Sequence, residues 1–340
     1  MKKLLALTLA LSCLLSLLLP VTGWAEQKSL KIVTTIFPIY DWVREIAGED
    51  TSAEITMLMD SGVDLHNFQP TAQDILTIAQ CDLFIFVGGE SDAWTEDVLK
   101  TAQNESLTAI NLLDALGDDV KEEEIVEGME REHDHDEDEE HEDEDHDEHD
   151  HDEDEDHEEH EHEADEHVWL SLRNAEKLVQ VIADTIAGLD PEQADLYRTN
   201  AKNYIEKLQA LDAQYAETVN AATYKTVLFG DRFPFRYLAD DYGLTYYAAF
   251  AGCSAETEAS FQTILFLARK VDELSLPAVL TIETPKTRIA ETVVNATQSR
   301  NQMILSLNSM QGVTGRDAQA GASYLGIMEE NLHVLRDALN

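Results

Sequence analysis

The sequence predicts an α/β protein of two lobes, each a parallel sheet flanked by helices, bridged by one long rigid helix. Three observations predict this fold: short β-rich runs alternate with amphipathic stretches, one central helical pattern is unusually long, and 44% of the 340 residues are apolar. Alternating strands and helices are typical of βαβ units, in which the strands run parallel. The length supports about two domains, and the apolar content is sufficient for a core in each.

The first lobe is predicted to span residues 26–190. The run from Leu83 to Val87 is apolar throughout and is followed by two glycines, as expected for a strand buried on both faces. By the same kind of pattern, strands are predicted at 30–36, 55–59, 83–87 and 107–112. The helices of this lobe are predicted at 39–47, 72–79, 93–101 and 173–187.

The linker is predicted to be a helix within residues 191–222. Apolar and aromatic side chains recur there every three or four positions, at Tyr197, Ala201, Tyr204, Leu208, Leu211, Tyr215 and Val219. Such a stripe predicts one unbroken helix that can connect two lobes. The second lobe is then 223–340, with strands at 226–229, 245–250, 278–282 and 303–307 and helices at 235–242, 259–274, 288–296 and 324–339.

The chain is strongly acidic, with 69 Asp and Glu against 23 Lys and Arg and a formal charge of −46. This charge repels phosphates and anionic lipids, so nucleic acid is excluded as a partner and cations are favoured. Much of the charge falls in a segment almost without apolar residues, which predicts a disordered loop over about 118–166. Its nine histidines are candidate weak metal sites: His133, His135, His141, His146, His149, His151, His157, His160 and His162.

The N-terminus has the pattern of an export signal. Two lysines precede an apolar run over 4–19, and a small-x-small site ends at Ala25, so residues 1–25 are predicted to be removed. The protein is expected in the extracytoplasmic space, either the periplasm or the cell surface. A lipid anchor at Cys13 is the less favoured alternative. Cys81 and Cys253 are interpreted as two separate buried thiols.

Asp231 and Glu283 lie where predicted strands of the second lobe end, the edge at which parallel sheets bind ligands. In the first lobe, His66 follows the strand that ends at Met59, and His167 directly follows the acidic loop. Together they form a candidate Zn²⁺ site with nitrogen and oxygen ligands. More ordinary roles are open for each: a loop histidine is often only hydrogen-bonded, and either carboxylate could cap a helix. His333 is interpreted as structural or solvated.

Two motifs resemble those of the zinc and manganese solute-binding proteins of ABC importers. The segment 62–70, with sequence GVDLHNFQP, resembles their Gly-x-Asp-Pro-His-x-Phe/Tyr-x-Pro motif, and 165–170, with sequence DEHVWL, resembles Asp-Pro-His-x-Trp-Leu. A loop rich in histidine and acid between these motifs is a mark of the zinc-uptake branch. The resemblance covers nearly the whole chain after the signal. It implies two α/β lobes with metal held between them, and His66 and His167 as first-lobe ligands.

The second lobe departs from that family pattern. Family members carry a third ligand, His or Glu, after the strand that corresponds to 227–229, whereas this chain has Gly230, Asp231 and Arg232 there. Asp231 is the only one of the three whose side chain can ligate a cation. Glu283 matches a family acid near the site, as a ligand or an outer contact. Asn308 stands where the family often carries Asp, and is at best a neutral donor outside the ligand set.

The resemblance implies capture of Zn²⁺ and its delivery to the permease of an ABC importer, by a monomer without enzymatic activity. Mn²⁺ is the alternative cargo, since oxygen-rich coordination would favour it. Two alternatives come from other classes: a zinc hydrolase, and a surface adhesin or metal buffer whose working part is the acidic loop. The sequence has no His-Glu-x-x-His motif, which counts against the hydrolase.

Overall fold

The structure is a computed structural model that describes residues 29–48, 53–102, 104, 106–130, 163–254, 258–283 and 287–340. Several predictions fall outside these residues: the export signal, the lipid site at Cys13 and the nine histidines of the acidic loop. The predicted class is confirmed, because the described residues form two parallel four-stranded sheets, each flanked by helices.

The first lobe is built on a sheet with strand order β2-β1-β3-β4, in which all pairs are parallel. Strand β3 is buried along its whole length, as its continuous apolar sequence predicts. The strands are β1 (Lys31–Thr34), β2 (Glu54–Met57), β3 (Leu83–Phe86) and β4 (Thr108–Asn111). The helices are α1 (Phe37–Ala47), α2 (Ala72–Ala79), α3 (Trp94–Thr101), α4 (Leu112–Leu116) and α5 (Leu172–Leu189).

The second lobe repeats the same strand order, β6-β5-β7-β8, again with parallel pairs. Its strands are β5 (Thr226–Phe233), β6 (Thr245–Ala251), β7 (Ala278–Thr281) and β8 (Met303–Ser306). After α6, the linker helix (Ala194–Ala221), the helices are α7 (Arg236–Tyr242), α8 (Phe261–Leu274), α9 (Arg288–Ala296), α10 (Gly315–Gln319) and α11 (Tyr324–Ala338). The short helices α4 and α10 were not predicted, because five residues carry too little periodicity.

Helix α6 joins the lobes as one unbroken element of 28 residues, about 42 Å long at 1.5 Å per residue. The seven residues of the predicted stripe form its buried side. The helix packs against α1 and α5 of the first lobe and against α7 and α11 of the second. Tyr215 is fully buried, and its hydroxyl donates to the backbone oxygen of Met328 in α11. The helix is therefore fixed to both lobes. No helix in the described part of the chain is both long and apolar enough to cross a membrane.

Two of the differences from the predicted boundaries bear on the candidate site. Strand β5 continues past the predicted end at Phe229 to Phe233, with a register shift between Phe229 and Arg232. The predicted loop over 118–166 also needs correction at both ends, because 118–130 and 163–166 are described and hold regular contacts. Glu122 forms an antiparallel bridge with Ala164, and the Glu123 amide donates to the Glu163 carbonyl at 2.8 Å. The two ends of this segment, residues 118–166, which we call the insertion, thus pair with each other.

Candidate metal site

The site lies where the carboxyl ends of the two sheets face each other. His66 is in the loop after β2, within a 3-10 turn over Leu65–Asn67. Asp64 begins that turn, and its Oδ1 accepts the backbone amide of His66 at 3.1 Å. The predicted motif therefore uses its acidic residue to fix the backbone of the histidine.

His167 is fully buried at the point where the chain returns from the insertion. Asp165 accepts two hydrogen bonds from it through Oδ1, one from the backbone amide and one from Nδ1, each 2.9 Å long. A carboxylate can only accept, so Nδ1 carries the proton and Nε2 keeps its lone pair. Asp165 thus fixes both the tautomer and the direction of the ring, as an outer partner does at a metal site.

His66 is held in the same way through its Nδ1, which lies 2.8 Å from the Ser91 hydroxyl and 3.4 Å from Glu166 Oε2. The Ser91 amide in turn donates to Glu166 Oε1 at 2.8 Å. Burial raises the pKa of Glu166. Burial also lowers the pKa of His66 to about 3, with a further contribution from His167. His66 is therefore a neutral imidazole, and the tautomer that carries its proton on Nδ1 offers the Nε2 lone pair to a cation.

The two Nε2 atoms face each other at 3.2 Å. Two unprotonated ring nitrogens repel at this distance unless a proton or a metal ion lies between them. Nitrogen ligands of tetrahedral zinc stand about 2.0–2.1 Å from the ion, which places them about 3.3 Å apart. The spacing of His66 and His167 thus fits a shared Zn²⁺ with little movement of either ring.

The second lobe approaches this pair with two loops. Cys253, in the loop after β6, places its Sγ within 4.8 Å of the ligand nitrogens of both histidines. The preceding residue, Gly252, packs so closely on His167 that a Cβ there would stand 3.0 Å from ring Cε1. Gln311, in the loop after β8, has its Nε2 3.3 Å from Nε2 of His167. Its Oε1 is buried and has no hydrogen-bond partner.

The structure does not bring the predicted ligand Asp231 into the cluster of His66, His167 and Cys253. Because β5 runs on to Phe233, Asp231 lies within the strand rather than after it. Its two carboxylate oxygens accept backbone amides, Oδ1 from Arg232 at 2.9 Å and Oδ2 from Ile282 at 3.3 Å. Burial raises the pKa of Asp231. Its contacts are those of a residue that fixes the ends of β5 and β7.

Glu283 is also turned toward the backbone instead of the histidines. Its carboxylate accepts the Ser309 amide and hydroxyl, both at 2.8 Å, and the Gly312 amide at 3.3 Å. Asn308 accepts the Met310 amide at 2.7 Å through Oδ1. Both predicted site residues therefore shape the loop 308–312, which carries Gln311.

Arg232 stands where the family motif led us to expect a ligand, but a guanidinium cannot bind a cation. It reaches across the cleft to Asp64 of the first lobe, with Nη2 2.6 Å from Oδ2. Burial acts in the opposite direction, yet the Arg232 charge holds the pKa of Asp64 below its usual value. Nη1 also donates to the Ser254 carbonyl at 3.4 Å. Arg232 thus connects the first lobe to the turn that carries Cys253.

Two of the residues at the site were not predicted as site residues. Cys253 was interpreted as a buried thiol, whereas it is half-buried and lies beside the histidines; Cys81 is buried in the first lobe, and both are free. Gln311 was not singled out at all. The signal that could have found them is the topology. Cys253 follows the second strand of its sheet, as His66 does, and Gln311 follows the fourth strand, as His167 does.

Two parallel-sheet lobes fixed on one long helix, with paired imidazoles at their junction, are the architecture of a two-lobed α/β binding protein with a candidate metal site between the lobes. A sequence model of one family matches residues 32–338, and its description is "ZnuA: Zinc-uptake complex component A periplasmic". The chain belongs to this family.

Individual relatives agree with the family. The chain is 31% identical to the zinc-binding lipoprotein AdcA of Streptococcus pneumoniae, over 99% of this chain and 61% of the relative. It is 30% identical to the high-affinity zinc uptake system protein ZnuA of Bacillus subtilis, over 93% and 90% of the two chains. The chain thus spans only about three fifths of the AdcA relatives it matches.

Solved structures show the same fold. The Zn(II)-bound ZnuA-like domain of Streptococcus pneumoniae AdcA superposes with a TM-score of 0.67 at 27% identity, covering 92% of this chain and 99% of that one. The metal-dependent lipoprotein YcdH of Bacillus subtilis gives a TM-score of 0.70 at 26% identity, with the same coverage.

Proposed function

We propose that this chain captures Zn²⁺ between its two lobes and delivers it to the permease of an ABC importer. The observation that carries the proposal is the pair of Nε2 atoms of His66 and His167, 3.2 Å apart and aimed at each other by outer hydrogen bonds. This is the arrangement that a tetrahedral zinc ion requires of two imidazoles. The names of the relatives, which describe zinc binding and zinc uptake, support the same cargo.

The proposal places the protein outside the cytoplasmic membrane, as the export pattern at 1–25 and the word periplasmic in the family description suggest. The protein acts there as a monomer that binds and releases an ion and catalyses no reaction. This is consistent with the relatives, whose names describe binding and uptake. The acidic segment with nine histidines would hold further ions weakly near the tight site.

The test is the number of ions that the full-length chain retains against a competing chelator, counted by native mass spectrometry. One variant is His66→Ala, and its matched control is His333→Ala, which removes an exposed histidine of α11. A third variant replaces the nine histidines of 131–162 by Asn. We expect the wild type, His333→Ala and the nine-Asn variant each to retain one Zn²⁺, and His66→Ala to retain none.

Retention of the ion by His66→Ala would overturn the proposal, and its loss from the nine-Asn variant in the same assay would place tight binding in the acidic segment. The same assay with Mn²⁺ decides the cargo. Retention of Mn²⁺ in preference to Zn²⁺ would favour the manganese alternative.

A further inference from the structure

We propose that Cys253 supplies the ligand of the second lobe as a thiolate, and that the side-chain oxygen of Gln311 completes a four-coordinate site with His66 and His167. This inference rests on the proposed function, because it names the donors of the same site. It replaces the carboxylates that the sequence suggested, and it gives the site one sulfur donor.

The position of Cys253 carries the first step. Among the described residues, His66, His167 and Cys253 form the group of potential metal ligands whose donor atoms all lie within 4.8 Å of one another. The expected separation of a nitrogen and a sulfur ligand on tetrahedral zinc is about 3.6 Å, from bond lengths of about 2.1 and 2.3 Å. The thiol therefore needs at most a small movement to share an ion with both imidazoles.

The turn that carries Cys253 is fixed by contacts from three directions. The backbone amide of Cys253 donates to Glu123 of the insertion at 2.9 Å. Arg232 donates to the Ser254 carbonyl while it is paired with Asp64. Gly252 has no side chain, which lets the turn lie directly on the His167 ring. These contacts hold the thiol at the cleft, beside the two histidines.

Gln311 gives a second and independent indication of an ion. Its side chain is 8% exposed, and Oε1 is buried with no hydrogen-bond partner, whereas Nε2 donates to the His167 lone pair. A half-turn of the amide exchanges these two atoms. Oε1 then faces Nε2 of His167, and two acceptors can face each other only with a cation between them. An ion thus satisfies the buried oxygen that is otherwise unpartnered.

The donor set determines which ions fit. Two imidazoles, one thiolate and one amide oxygen suit Zn²⁺, and thiolate in particular disfavours Mn²⁺, which prefers carboxylate, carbonyl and water. On binding, the Cys253 S–H bond breaks, the sulfur bonds to the metal, and the proton passes to solvent. The carboxylates of Asp165 and Glu166, which hold the histidines, face the resulting positive charge from the first lobe.

The test uses Co²⁺ as a spectroscopic probe in the full-length chain. A thiolate bound to Co²⁺ gives a charge-transfer band in the near ultraviolet, and the nine histidines and the carboxylates of the acidic segment cannot produce it. We expect the band in the wild type and in Cys81→Ser, the matched control, and its loss in Cys253→Ser. We also expect Cys253→Ser to weaken Zn²⁺ binding by more than about 100-fold, since outer partners alone account for about 10–100-fold.

A second measurement uses the unmodified protein, so it does not depend on the folding of a variant. Zn²⁺ should slow alkylation of Cys253 at least tenfold, as followed by mass spectrometry of the labelled peptide. A chain that retains one ion through His66 but shows no charge-transfer band and no protection of Cys253 would overturn this inference and leave the proposed function intact. If His66→Ala retains the tight ion, the proposed function itself fails.

Discussion

The two halves of the metal site are built in different ways. In the first lobe each histidine is fixed by a carboxylate or hydroxyl on its Nδ1, and short 3-10 turns follow or contain it. In the second lobe, the carboxylates of Asp231 and Glu283 bind backbone amides, and the groups that face the histidines are a thiol and an amide on loops. A carboxylate at the end of a parallel strand is therefore as much a backbone acceptor as a candidate ligand.

The two lobes nevertheless supply their groups from corresponding places. His66 follows the second strand of the first sheet, and Cys253 follows the second strand of the second sheet. His167 comes after the fourth strand, beyond α4 and the insertion, and Gln311 follows the fourth strand of its own lobe. Because both sheets have the same strand order, these loops meet across the cleft.

The largest expected effect concerns the whole site. Zinc that binds only the native state at 1,000 times its dissociation constant should raise the free energy of unfolding by about 4 kcal/mol. At that same free zinc concentration, Cys253→Ser should gain much less, because the site loses its thiolate donor. Denaturant unfolding with and without zinc measures both values, and Cys81→Ser serves as the control. Equal gains in wild type and Cys253→Ser would mean that Cys253 contributes nothing to zinc binding.

The next largest effect is on the pH dependence of stability, through a contact that connects the two lobes. Asp41 in α1 is buried and accepts the Tyr324 amide at the start of α11, at 2.8 Å. Burial raises the pKa of Asp41 from 3.8 to about 6. Between these values the native state holds a proton that the unfolded state has lost, so stability falls as pH rises from about 4 to 6. The loss is up to about 3 kcal/mol.

Asp41→Asn keeps the acceptor but removes this titration, so its stability relative to wild type should grow across that range and then stay constant. Urea unfolding at half-unit pH steps checks the prediction. Asp184→Asn, on the exposed face of α5, should keep the wild-type slope. A constant difference between Asp41→Asn and wild type from pH 4 to 8 would show that Asp41 is already ionised in the native state.

A smaller effect is expected from the outer contact of His167. The amide of Asp165→Asn can donate as well as accept, so it no longer forces the proton of His167 onto Nδ1. The ring then loses its fixed tautomer and part of its basicity. We expect zinc affinity to fall by about 10–100-fold, measured by chelator competition. Asp190→Asn, far from the site at the end of α5, is the control. Unchanged zinc affinity in Asp165→Asn would mean that this carboxylate does not orient His167 for metal binding.

The smallest effect is on zinc affinity in Asp231→Asn. It distinguishes the ligand set predicted from the sequence, which includes Asp231, from the set proposed from the structure, which includes Cys253. Asp231→Asn retains an oxygen that can accept the Ile282 amide, so zinc affinity should change by less than about threefold, or roughly 0.6 kcal/mol. Isothermal titration calorimetry can resolve this against the loss expected for Cys253→Ser. A drop of two orders of magnitude in Asp231→Asn would restore Asp231 to the ligand set.

The sequence predicted the fold well, because periodicity is a local signal. Its short motifs pointed to His66 and His167, which stay candidate ligands. The second lobe was harder. Asp231 looked like a residue after a strand because the apolar run ends at Phe229, but a register shift lets β5 continue past it. Glu283 does lie after β7, yet nothing in its sequence context reveals that its oxygens bind the 309–312 backbone. Cys253 was passed over because isolated cysteines are usually buried thiols.

The continuous helix between the lobes has a consequence for cargo release. An element that packs on both halves over its whole length cannot act as a pivot, so the lobes have no free axis about which to swing apart. If the chain carries zinc as proposed, its release is a local event, in which a loop such as 252–254 or 308–312 withdraws its donor. A transporter that takes the ion would need to bind only these few residues, and it would not have to separate the two lobes.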